Sequence, residues 1–214
     1  MVVFHLIFDM TEVYGLVSWR LPPFLMGLQY WGGVVFVVLS GLCVTLGSRA
    51  LRRGAIVFGA GMLCTLVTAL LARFGFSSDS MVIRFGVLHC LGICMLLWPL
   101  LKHLPLWAAG VLGAAIVAAG MYFETITVEV TWLFPLGLTH WSFASGDYFP
   151  LAPQLGWFLL GSVLGRTLYR KQQPLLPNVY DLPFLRFCGR HSLFIYLLHQ
   201  PLLMGALTLL RMIL

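Results

Sequence analysis

Apolar residues in this chain run in blocks of about twenty, separated by short joints that carry Arg, Lys, Gly and Pro. An α-helix rising 1.5 Å per residue needs about 20 such residues to cross about 30 Å of hydrocarbon. Seven blocks fit that length, at about 1–17, 29–48, 54–73, 82–101, 105–123, 151–170 and 189–213. Within lipid every backbone N–H and C=O must be satisfied inside its own segment, which makes each block a helix. The predicted fold class is all-α: a polytopic membrane protein, one domain over 1–214, built as a bundle of about seven transmembrane helices. Two features add detail. The only long joint, 124–150, holds TWLFPLGLTHWSFASGDYFP, whose Trp132, Trp141, Tyr148 and prolines suit a folded interfacial lid. In the fifth block Gly110, Ala114 and Ala118 recur every four residues, a stripe predicted to let a neighbouring helix approach closely.

Composition supports the membrane reading and excludes others. With 60% hydrophobic and 9% charged residues, the chain is far more apolar than a soluble core of 214 residues requires. The net charge of +6 does not point to nucleic acid, because the cations sit in the joints as the positive-inside rule requires. Arg49, Arg52, Arg53, Lys102, Arg166, Arg170, Lys171, Arg186 and Arg190 fall on one side, and Arg20, Arg73, Arg84 and Arg211 on the other. The first group marks the cytoplasmic side, and loop 124–150, with Glu124, Glu129 and Asp147, is predicted outside. Five cysteines lie within blocks or at a cytoplasmic end, which argues against an external disulfide framework, and Cys90 and Cys94 read as small packing residues rather than metal ligands. The first block lacks a basic leader and contains Asp9 and Glu12, so it does not read as a cleaved signal; it reads as a segment whose natural start lies upstream.

Ionisable side chains in hydrocarbon cost on the order of 3 kcal/mol each on insertion scales, so they mark protein interiors or watery cavities. MVVFHLIFDM places His5 and Asp9 four residues apart, on one helix face. An Asp there can fix the imidazole tautomer, as in acyl-transfer sites where His takes a proton; the alternative is a buried polar pair that holds helices together. In the fourth block, IRFGVLHCLG sets Arg84 near the outer interface and His89 deeper, although Arg84 alone can also snorkel. The last block, GRHSLFIYLLHQP, carries Ser192, Tyr196 and His199 at i, i+4 and i+7, with Gln200 and Pro201 following. Proline at 201 removes one helical hydrogen bond and is expected to kink or loosen the helix. His103, beside Lys102, reads as a solvated flank residue, and His140 lies among loop aromatics.

The stretches HLIFD, WGGVVFVVLSGLCVTLGSR, RFGVLHCLGICMLL, GDYFPLAPQLGWFLLGSVLG and GRHSLFIYLLHQPLL, in that order, resemble the bacterial heparan-alpha-glucosaminide N-acetyltransferase catalytic-domain family of the transmembrane acyltransferase superfamily. The resemblance covers nearly the whole chain. It implies transfer of an acetyl group from cytoplasmic acetyl-CoA to an amino sugar or other glycan acceptor, through a polar passage among the helices of a protein in the bacterial cytoplasmic (inner) membrane. It also implies His5 as catalytic base with Asp9 as its orienter, and a passage lined by Arg84, His89, Asp147, Tyr196, His199 and Gln200. Family members usually carry a charged cytoplasmic lead ahead of the HLIFD-like segment, which this sequence lacks.

Acyl transfer needs a base for the acceptor and a hydrogen-bond donor for the tetrahedral oxyanion. His89 and His199 join His5 and Asp9 as catalytic candidates, with Arg84, His89 or the Tyr196 hydroxyl as oxyanion donors. A histidine can also act as the nucleophile, through an acetyl-imidazole intermediate. Arg49, Arg52, Arg53, Arg186 and Arg190 form the pool of cations for the coenzyme A phosphates, against a reading of each as an ordinary positive-inside residue. The expected partners are the lipid bilayer, acetyl-CoA, a sugar or glycan acceptor and a second copy of the chain, with no metal. The competing class is a proton-coupled transporter or channel using the same His and Asp residues. That reading calls for paired halves with matching broken helices, and the sequence shows none.

Overall fold

A computed structural model describes residues 2–13, 15, 23–170 and 183–213; Arg20 and Lys171, counted in the charge bias, and the end of the first block lie outside the described residues. The described residues are helical, with two isolated β-bridges and no strand. In chain order the helices are α1 (Val2–Phe8), continued by a π-helical turn (Asp9–Val13), α2 (Pro23–Leu46), α3 (Ala50–Arg73), α4 (Val87–Leu101), α5 (Leu106–Phe123), α6 (Leu151–Leu168), α7 (Pro183–Arg190) and α8 (Ser192–Ile213). Among the described residues three helices are long and apolar enough to cross a membrane: α3, α5 and α8 through Met212. The apolar stretches Trp31–Leu46 and Val87–Leu101 are shorter.

Two boundaries depart from the hydropathy pattern for identifiable reasons. The fourth block begins at residue 82 by hydropathy, yet α4 starts only at Val87, because residues 82–85 are bonded sideways to other segments. The last block divides into α7 and α8 around His191. Pro201 neither breaks nor ends α8, which runs continuously from Ser192 to Ile213.

The chain forms two compact units, Val34–Leu175 and, separately, Met1–Gly33 with Leu176–Leu214. In the larger unit glycines decide which helices touch. A Cβ on Gly41 would strike the Phe158 carbonyl and one on Gly161 the Val38 carbonyl, which brings α2 against α6. Gly54 and Gly92 do the same for α3 and α4. Between α5 and α6 the contact runs through Gly113, Gly120 and Gly156, with Ala109 and Val117 buried beside them. This corrects the predicted stripe: Gly110 has nothing within 4 Å of its Cβ position, and Ala114 and Ala118 are exposed. Lipid supplies no hydrophobic drive between helices, so the face carrying two glycines, Gly113 and Gly120, which permits the closest van der Waals approach, prevails over the neighbouring face made mostly of alanines. Phe158, Leu159, Val37 and Val44 form the core of this unit. By contrast, Leu63, Leu66, Val67 and Leu70 on α3 are exposed, as a lipid-facing helix requires.

Loop 124–150 is folded on itself and onto the start of α4. The Tyr148 hydroxyl donates to the Phe134 carbonyl at 2.7 Å, and Phe143 packs against both Phe134 and Tyr148, with ring centroids 5.3 and 4.8 Å apart. The short 3-10 turn Phe134–Leu136 ends at Gly137 with φ 110°, a conformation natural to glycine. Backbone N–H groups of Gly146 and Phe149 donate to the carbonyls of Val82 and Phe85. Trp132 and Trp141 project outward, 73% and 81% exposed, consistent with interfacial anchoring. Burial, followed by the negative charge of Glu124, pushes the Tyr148 phenol up to about 12.

Candidate functional site

The sequence candidates fall into two clusters, one in each unit. In the smaller unit α1 packs against α8. Asp9, 1% exposed, opens the π-helical turn. Its carboxylate accepts hydrogen bonds from Gln200 Nε2, 3.1 Å from each oxygen. Among the described residues the Asp9 carboxylate is thus tied to Gln200. The helix widens at Asp9, and Gln200 supplies a fixed donor from the neighbouring helix. His5 instead meets His199 edge-on, ring centroids 5.0 Å apart, and His199 lies 5.5 Å from the Tyr196 ring.

His199 is buried, and its two nitrogens have different fates. Nδ1 is 2.5 Å from the Tyr196 carbonyl. A carbonyl only accepts, so Nδ1 carries the proton, and Nε2 of the neutral ring holds a lone pair. That Nε2 is buried with no hydrogen-bond partner among the described residues, as is Gln200 Oε1. Buried polar atoms are nearly always paired, so these two atoms on adjacent residues are the open hydrogen-bonding positions of this cluster among the described residues. Ser192 is exposed and does not extend this stripe.

The larger unit contains the second cluster, and here every polar group named has a partner. His89 is 3% exposed between Phe85 and Phe58, with ring centroids at 5.5 and 5.7 Å. Gly86 N–H donates to its Nδ1 at 3.2 Å, the reach-back half of a capping box at the start of α4. Its Nε2 is 3.2 Å from Thr65 Oγ1, and that hydroxyl donates to the Ile83 carbonyl at 2.6 Å. The imidazole thus donates from Nε2 to Thr65, and both of its nitrogens are used. Gly61, on α3, leaves the space the ring occupies: a Cβ there would come within 3.0 Å of Nδ1. Asp147, from the long loop, accepts from the Val87 N–H at 3.1 Å and caps α4. Arg84 is exposed, with Nε donating to the Ala144 carbonyl and its backbone N–H to Ser145 Oγ, both at 3.1 Å.

The remaining candidates are peripheral within their units. Arg49, Arg52 and Arg53 are exposed at the start of α3, and Arg186 and Arg190 are exposed on α7. His103 is exposed beyond α4, and His140 bonds Ser142 in the loop. Cys90 and Cys94 are fully buried packing residues. Sequence reasoning passed over Thr65, the partner of His89, because a threonine in an apolar block is unremarkable. It also passed over Gln154 and Trp157 on α6, whose Oε1 and Nε1 are buried with no partner among the described residues. The Gln within PQLGW, an amide inside a block of hydrocarbon, was the available signal for the first of these.

Residues 1–201 match the family model described as heparan-alpha-glucosaminide N-acetyltransferase, catalytic. No curated protein and no solved structure matches the chain. The match runs from α1 into α8 and so takes in His5, Asp9, His199 and Gln200 as well as the His89 cluster. With an all-helical fold and long apolar helices, the chain is an integral membrane protein, and it belongs to the heparan-alpha-glucosaminide N-acetyltransferase catalytic family, a family of membrane acetyltransferases.

Proposed function

We propose that this protein transfers an acetyl group from cytoplasmic acetyl-CoA to the amine or hydroxyl of an amino sugar or other glycan, with an intramembrane histidine as the base. The observation that supports this reading is the buried Nε2 of His199, without a partner among the described residues, whose ring is held in one tautomer by the Tyr196 carbonyl. In the reaction the acceptor N–H or O–H gives its proton to an imidazole as its heteroatom attacks the thioester carbonyl. The tetrahedral intermediate then collapses, the C–S bond breaks, and the proton passes to the leaving coenzyme A thiolate. General-base assistance of this kind is worth about 10²–10⁴ in rate.

His199 serves best as proton acceptor. His5, edge-on to it at 5.0 Å, is the second imidazole of the site, as base in its own right or as relay. Asp9 contributes a buried negative charge that favours the imidazolium created during transfer, while Gln200 holds that carboxylate in place. The Tyr196 hydroxyl is assigned to the oxyanion. Arg84 and Asp147 remain substrate-side candidates, and His89 is reassigned to positioning, since both of its nitrogens are engaged. Arg49, Arg52, Arg53, Arg186 and Arg190 are the pool for the donor phosphates. The proposed setting is the bacterial cytoplasmic membrane, crossed about seven times, with the 49–53 joint inside and loop 124–150 outside.

The test is purified protein incubated with labelled acetyl-CoA and a panel of amino sugars and membrane glycans. Acceptor-dependent release of free thiol, with label appearing on one acceptor, supports the reading. Movement of a solute with no thiol released would replace it with the transporter.

A further inference from the structure

At the end of α6, Arg166, Thr167 and Arg170 line a cavity of about 530 Å³ together with Leu106, the first residue of α5. Arg166 lies in the last turn of α6 and Arg170 in the turn that follows it, so two like charges border one cavity. The dipole of α6 favours a cation in its last turn and the positive-inside rule favours cations on this side, but neither calls for two of them to line one cavity. Among the described residues no carboxylate pairs with either of them. Arg166, half-buried, donates from Nη1 to the Leu104 carbonyl at 2.9 Å. That single bond uses one of five guanidinium donors and fixes the plane of the group, leaving a preorganised fork beside the cavity. The space is many times the roughly 30 Å³ that one water occupies in the liquid, enough for a phosphate with its substituent.

We propose that this cavity is a phosphate-binding site, with Arg166 as the oriented fork and Arg170 as the second cation. Neither residue belongs to the arginine pool assigned to the donor above. The Lys and Arg bias predicts this end of α6 on the cytoplasmic side, where two phosphates are within reach of a membrane protein: the headgroup of an anionic phospholipid and the nucleotide of coenzyme A. Both present the same chemistry to guanidinium groups, two or more anionic oxygens that accept paired N–H bonds.

The experiment uses the full chain in nanodiscs and reads binding, so its outcome is independent of whether acetyl transfer occurs. Thermal unfolding is followed in phosphatidylcholine alone, in phosphatidylcholine with added phosphatidylglycerol, and in phosphatidylcholine with coenzyme A, for the parent and for Arg166→Gln/Arg170→Gln. A ligand that binds only the folded state raises the unfolding midpoint. The expected result is a rise with at least one probe that the double variant loses, with affinity falling about tenfold or more on removal of charge-assisted bonds. A response to phosphatidylglycerol alone assigns the headgroup, and one to coenzyme A alone assigns the nucleotide. Should the double variant not fold, Arg170→Gln alone, which leaves the Arg166–Leu104 bond intact, is expected to lose part of the response. An undiminished response in the variants, or none in the parent with either probe, overturns the site.

Discussion

His199 and His89 are both buried histidines inside apolar helices, and by sequence they are equivalent candidates. Their hydrogen bonds separate them. His89 accepts from Gly86 and donates to Thr65, so its ring closes a network that joins α3 to the start of α4. His199 donates to a carbonyl in its own helix and leaves Nε2 without a partner among the described residues. The carboxylates divide in the same way: Asp147 caps a helix through a backbone N–H, whereas Asp9 is buried against an amide side chain whose own oxygen is orphaned. In a low-dielectric interior a satisfied polar network stabilises structure, and an unsatisfied group is tolerated where a ligand completes it. Accounting for each nitrogen therefore separates a histidine with both nitrogens engaged from one with a nitrogen open more sharply than depth or spacing does.

The largest effect that can break this contrast is on the rate of transfer. His199→Ala should fold and bind coenzyme A as the parent does, yet transfer acetyl groups about 10²–10⁴-fold more slowly. His5→Ala should also slow transfer. An undiminished rate in either variant, measured by thiol release, removes that imidazole from the mechanism. His89→Ala should behave in the opposite way: it leaves the buried Gly86 N–H without its acceptor, at a cost of about 1–3 kcal/mol, read as a lower unfolding midpoint. If it instead abolishes transfer at unchanged stability, the two histidines have been assigned the wrong way round.

Smaller effects sharpen the loop side of the comparison. Asp147→Ala should remove the cap on α4 and cost about 1 kcal/mol, while Asp147→Asn, which keeps an acceptor oxygen for Val87, should recover most of it. Equal losses in both variants would point to the charge rather than the cap. The smallest effect concerns Tyr148. Its phenol, raised to about 12 in the folded protein, stays protonated where the unfolded chain, near its ordinary value of about 10, ionises. Its contribution to stability is thus fully present below about pH 10 and declines as the pH rises toward about 12. Tyr148→Phe should lose about 1 kcal/mol with the Phe134 bond and flatten that decline. Ultraviolet absorbance of tyrosinate, compared with the unfolding midpoint over the same range, provides the check.

Block length and apolarity made the helices legible, and the motifs made the family legible, because both are local properties of the chain. His5, Asp9, Tyr196, His199 and Gln200 were also singled out from the sequence, since an ionisable or amide side chain in hydrocarbon stands out by its cost. Their pairing was not legible. Helical spacing put Asp9 beside His5 but could not name Gln200, 191 positions along the chain, as a donor to its carboxylate. The same holds for packing: Gly110, Ala114 and Ala118 form as regular a stripe as Ala109, Gly113, Val117 and Gly120, yet among the described residues of this unit it is the second that closes on α6.

By itself the sequence determined an all-helical membrane protein, its family and the set of polar residues able to do chemistry, because each follows from composition, local periodicity or motif order. Only the tertiary structure decided which nitrogen is free, which carboxylate caps a helix and which glycine face closes on a neighbour. Those outcomes depend on the groups that other segments bring within about 3 Å, a distance at which a hydrogen bond is either made or absent.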